Sequence, residues 1–147
     1  MNARPPPAGA DAAWTLIFAC WVIATASTLG ALFFSEIMNL PPCVLCWYQR
    51  IFMMPLVVIL PLGLFPFDRG VLRYGLALTA IGGLIALYHV LLVHGVVPES
   101  LQPCRQGVSC KDQPFVVAGF VTIPLLSFAA FTLIGALLLA ARLRSHR

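Results

Sequence analysis

The sequence predicts an all-α membrane protein, a polytopic four-helix bundle with both termini in the cytoplasm. Three observations carry that expectation. Hydrophobic residues make up 61% of the chain and charged residues only 10%, whereas a soluble domain is about a quarter charged. Four apolar runs are each long enough to cross a bilayer. The basic residues divide unequally between the two sides that such a chain creates.

Residues 1–12 (MNARPPPAGADA) are rich in Pro and Ala and are expected to be disordered. The first span, 14–34, carries no charge; as a helix it is about 31 Å long, the thickness of a bilayer core. It is too long for the apolar core of a signal peptide, and no small-x-small cleavage site follows it, so it reads as a retained helix. The second span, 47–66, is apolar apart from Gln49 and Arg50 at its start. The third, 71–95, has Arg73 early and His89 and His94 late; the fourth, 115–141, is uncharged and leads into a basic tail, 142–147. Pro55, Pro61 and Pro124 are expected to kink their helices. Gly75, Gly82 and Gly83 permit close helix contact. No internal repeat or long linker marks a second domain.

Four spans put both termini on one side. Arg4, Arg69, Arg73, Arg142, Arg144 and Arg147 share that side, and Arg50, Arg105 and Lys111 fall on the other. The richer side is expected to be cytoplasmic. These residues flank spans and form no separate basic surface, which argues against nucleic-acid binding. The 35–46 and 98–114 loops then face outward, and they hold Cys43, Cys46, Cys104 and Cys110, four of the five cysteines. That is the side on which disulfides persist. Cys20, inside the first span, reads as packing, and Glu36 as an interfacial charge.

Cys43-Val-Leu-Cys46 closes a small ring of the kind that is often redox-active. Pro41-Pro42 ends any preceding helix, so a helix starting near Cys46 favours a thiolate at either cysteine. Arg50, four residues after Cys46, shares its face and offers a cation to the thiolate or to a reduced, anionic electron acceptor. A structural clamp, with Arg50 reaching lipid headgroups, is the alternative. A disulfide across Cys104-x5-Cys110 closes so short a loop that it stabilises by only roughly 2 kcal/mol; an exposed exchange site is the other reading, and a staple remains open. A zinc site built from all four is a rival, but C-x5-C is loose for it, and no metal site is expected. Two pairs at one end of a small bundle permit exchange between them. Disulfide formation releases two electrons, and no haem or flavin motif is present, so a membrane quinone is the expected sink. His89 and His94 are costly at membrane depth and are candidates to serve an acceptor near Cys46.

Phe33-Phe34-Ser35-Glu36-Ile37, Cys43-Val-Leu-Cys46-Trp-Tyr-Gln-Arg50, Tyr88-His89, Cys104-x5-Cys110 and Gly119-Phe-Val-Thr-Ile-Pro124-Leu together resemble the bacterial DsbB family, and within it the short-loop BdbC branch. The likeness runs from about residue 14 to residue 141. It implies an inner-membrane protein that reoxidises an extracytoplasmic thioredoxin-fold thiol oxidase, DsbA- or BdbD-like, and delivers the electrons to ubiquinone or menaquinone. The partner's thiolate would attack the Cys104–Cys110 disulfide at Cys104, and the electrons would pass to Cys43 and Cys46. Cys46, Arg50 and His89 would meet the quinone. The chain departs from the longer-loop branch in its short second loop and in Gln49, where that branch has an acidic residue. Vitamin K epoxide reductase is a related alternative, but its CxxC lies near the last span. A non-enzymatic membrane scaffold with structural disulfides is the other.

Overall fold

The computed structural model describes residues 10–65, 68–98, 103, 109–110, 116–117 and 121–145. Helix α1 (Ala10–Leu32) runs into a wide π-helical turn, Phe33–Ile37. Helices α2 (Val44–Leu62) and α3 (Gly70–Val93) follow, then two short strands, β1 (Val116–Val117) and β2 (Val121–Thr122), and helix α4 (Ile123–Ser145). All four helices are long and apolar enough to cross a membrane. Each of α1 and α3 packs on both α2 and α4, so the four close into a ring.

The boundaries differ from the sequence expectation in places that matter. Ala10–Ala12, expected in the disordered segment, are helical. Helix α2 begins at Val44, which makes Cys43 its N-cap and puts Cys46 inside the first turn. Helix α4 begins at Ile123, where a span from residue 115 was expected. Val116 and Val117 instead pair antiparallel with Thr122 and Val121. These are β-branched residues, which suit a strand as well as a helix.

The bundle is apolar inside and outside. Leu29, Val58, Leu62 and Leu84 are each at least 60% exposed, as expected where lipid is the solvent. Association then depends on close contact. The ring of Phe131 on α4 lies so near Gly82 on α3 that a Cβ there would approach it to 2.4 Å. Gly75 meets Leu138 in the same way, and Gly135 meets Thr79. Small residues at these points let α3 and α4 approach.

The prolines act differently from one another. Pro61, inside α2, has no N–H for the carbonyl of Val57 four residues back. The indole N–H of Trp21 on α1 donates to that carbonyl at 3.1 Å. A helix defect thus becomes a tie between helices. Pro124 sits at the second residue of α4, where a missing N–H costs nothing.

Candidate active site

The inner pair is placed by the turn between α1 and α2. Asn39 adopts φ 54°, a left-handed conformation that asparagine tolerates, and the chain reverses into Pro41-Pro42. Cys43 then caps α2 in an extended conformation, and its sulfur accepts the Cys46 backbone N–H at 3.4 Å. The Cys43 and Cys46 sulfurs lie 2.9 Å apart as free thiols.

Three donors converge on the buried Cys43 sulfur. The Cys46 thiol is the first, the Cys46 N–H the second, and His89 Nε2, at 3.8 Å, the third. Together they hold the Cys43 thiol far below its ordinary range, at about 4; the Cys46 hydrogen bond contributes most, and burial opposes it. The sequence allows the thiolate at either cysteine and gives Cys46 the Arg50 cation. In the structure the Arg50 guanidinium turns to α1 and donates to the Ala31 carbonyl at 2.6 Å, beside the wide turn, while its carbon lies 5.3 Å from the Trp47 ring.

His89, on α3, is fully buried. Its Nδ1 faces Gln49 Nε2 at 3.0 Å, and its Nε2 faces the Cys110 carbonyl at 3.1 Å. Cys110 is buried and disulfide-bonded. Its sulfur, the Cys43 sulfur and a His89 ring nitrogen lie within 4.8 Å of one another. Cys110 thus lies directly against Cys43, with Leu45 and Leu92 packed around the contact. The cluster has the spacing of metal ligands. However, a carbonyl acceptor requires a proton on Nε2, and the Cys110 sulfur is already bonded, so neither is available to a cation in this state.

On the other side of Cys46 a cavity of about 580 Å³ opens between α1, α2 and the start of α4. Cys46, Gln49 and Arg50 line it together with Thr28, Phe34 and Met53. The Thr28 hydroxyl is buried without a hydrogen-bond partner. An apolar slot of this size with a thiol and a guanidinium on its walls has room for a planar ring with polar substituents.

Of the residues singled out in the sequence, Cys43, Cys46, Arg50, His89 and Cys110 come together. Cys104 lies outside the described residues. His89 sits on the Cys43 side and does not line the cavity; His94 is exposed at the end of α3. Gln49 and Thr28 were not foreseen as site residues. Gln49 had a signal, being a polar residue inside an apolar span; Thr28 had none.

The family described as Disulfide bond formation protein DsbB matches residues 12–141. The chain belongs to the DsbB family. It is 44% identical over 143 residues to a protein of Metapseudomonas resinovorans called "Probable disulfide formation protein", covering 97% of this chain and 98% of that one. It is 44% identical over 118 residues to "Disulfide bond formation protein C" of Bacillus subtilis, covering 80% and 86%. A "Probable disulfide formation protein" of Deinococcus radiodurans is 44% identical over 133 residues, covering 84% and 86%. No solved structure matches. With four spans and this membership, the chain is a multi-pass membrane protein of disulfide formation, a disulfide oxidoreductase.

Proposed function

We propose that this DsbB-family chain reoxidises an extracytoplasmic thioredoxin-fold thiol oxidase and passes the electrons to a membrane quinone, ubiquinone or menaquinone. Both termini lie in the cytoplasm and both cysteine pairs on the outer side of the plasma membrane, as the charge asymmetry supports. One observation carries the reading: the Cys110 sulfur lies within 4.8 Å of Cys43, and Cys46 lines the cavity. The sulfurs are ordered from the outer loop to the cavity.

The oxidised chain holds a Cys104–Cys110 and a Cys43–Cys46 disulfide. The partner's thiolate attacks Cys104 and releases Cys110 as a thiolate. Cys110 attacks Cys43, forming a Cys43–Cys110 bond and releasing Cys46 as a thiolate on the cavity wall. The partner's second thiol then closes the partner's own disulfide and frees Cys104. Cys104 attacks Cys110, restores the outer disulfide and expels Cys43. A leaving thiol with a depressed pKa departs faster; once Cys46 has taken up a proton it donates to the Cys43 sulfur, which is then held at about 4. The inner pair is then reduced and the outer pair oxidised. A bound quinone supplies an acceptor for two electrons and two protons, which returns the inner pair to a disulfide. Cys46 and Arg50 on the cavity wall would meet that acceptor, and Arg50 would offer it the N–H groups that Ala31 does not use.

A single-turnover assay tests the reading: oxidised protein, decyl-quinone and a reduced thioredoxin-fold partner, with quinone absorbance followed over time. One quinone is expected to be reduced per partner oxidised, and none in Cys43→Ala, Cys46→Ala, Cys104→Ala or Cys110→Ala. Undiminished quinone reduction in Cys46→Ala sinks the relay.

A further inference from the structure

We infer that Gln49 is a positioning residue that locks His89 as its neutral, Nε2-protonated tautomer, and that the locked ring holds the Cys110 loop over Cys43. The inference gives the proposed relay a part that the cysteines alone lack. It rests on geometry around one buried ring.

Neutral imidazole carries one proton. The Cys110 carbonyl, 3.1 Å from Nε2, can only accept. The proton is therefore on Nε2, and Nδ1 is left with a lone pair. That lone pair is buried and needs a donor. The side-chain amide of Gln49, 3.0 Å away and itself buried, supplies one. The same Nε2–H also lies 3.8 Å from the Cys43 sulfur. One proton is thus shared between the backbone of the outer-loop cysteine and the sulfur it must exchange with. Flipping the ring or moving its proton to Nδ1 would break both contacts.

Gln49 holds this arrangement in a way a carboxylate cannot. A carboxylate only accepts, so it would require a proton on Nδ1 as well and turn the ring into an imidazolium. Among the described residues, the groups that face the ring are Gln49 and Cys43 from α2, with Cys46 behind Cys43, and Cys110 from the second loop. Arg50 is turned away to Ala31. With an amide at position 49, the ring is expected to hold one tautomer, with its proton on Nε2.

The test reads the ring and the loop separately, and neither measurement needs a quinone or a partner. Failure here is therefore distinguishable from failure of the relay. In full-length protein labelled with 15N-histidine, two-bond proton–nitrogen correlation spectra report the tautomer, with His94→Gln and His146→Gln used for assignment. At pH 7, His89 is expected to carry its proton on Nε2 and to accept at Nδ1; an Nδ1-protonated ring overturns the inference. In Gln49→Glu the ring is expected to become an imidazolium, and an unchanged neutral ring overturns it too. The loop is read in a Cys20→Ala, Cys46→Ser, Cys104→Ser background. There diamide takes the Cys43 and Cys110 thiols to a disulfide and is itself reduced to the hydrazine. Gln49→Leu and His89→Phe are each expected to slow this crosslink about tenfold, the scale of one hydrogen bond. Combining them should slow it no further, because Gln49 acts through His89. An unslowed Gln49→Leu, or additive effects, overturns the inference. If Gln49→Leu does not fold, the tautomer of the unsubstituted protein still decides.

Discussion

Cys20 and Cys43 are equally buried, yet they sit in opposite surroundings. Cys20 lies mid-bundle among Ile17, Leu56 and Ile134, and its thiol has only the Ile134 carbonyl to donate to, at 3.7 Å. Cys43 lies at the end of the bundle, where a thiol, a backbone N–H and an imidazole all point at its sulfur. Burial alone makes a cysteine inert; burial with converging donors makes it a thiolate. The two ends of the molecule follow the same division. The middle is held by contact between small and large side chains, and the cysteine end by a few directional bonds.

The comparison breaks most completely at the sulfurs. Cys46→Ser or Cys110→Ser should reduce partner-driven quinone reduction to background while the helices stay folded, as circular dichroism would show. In the packed middle, Gly82→Val should lower stability by about 1–3 kcal/mol through overpacking against Phe131. Thermal unfolding in detergent checks this, and Phe131→Ala in the same chain should recover part of the loss. Arg50→Met should raise the KM for quinone about tenfold, the scale of a charged hydrogen bond, and leave the Cys43–Cys110 crosslink rate unchanged.

Thiolate absorbance against pH sharpens the contrast between the two cysteines. Ultraviolet absorbance of the thiolate in the reduced protein should report Cys43 ionised down to about pH 4 and should be unchanged by Cys20→Ala. Cys46→Ala, which removes the largest cause, should move that midpoint up further than His89→Phe does. Because the folded value is depressed, the associated stability is fully present above the ordinary thiol range and is lost as pH falls toward about 4. The smallest effect belongs to Cys20→Ala, which should cost no more than about 1 kcal/mol and leave turnover unchanged.

Much of this architecture was legible in the chain. Long uncharged runs leave a helix as the way to satisfy the backbone in lipid, so the four helices could be read directly. Val116, Val117, Val121 and Thr122 could not be told from helix, because apolarity marks a span without marking where the backbone leaves the helical form. Cys43, Cys46, Arg50, His89 and Cys110 stood out because thiols, charges and imidazoles are rare and costly in such a setting. Gln49 was visible only as an odd residue, and Thr28 blended into α1.

The sequence by itself determined the class of molecule, the four spans and the chemistry its cysteines can carry, since those depend on residue type and spacing along one chain. Tertiary structure decided which cysteine gathers the donors, that His89 faces Cys43 and Cys110 while Arg50 faces the cavity and Ala31, and that Gln49 joins α2 to the ring. Those are contacts between helices and loops far apart in sequence. Hydrogen bonds are directional and reach only about 3 Å, so no periodicity within a single helix encodes them.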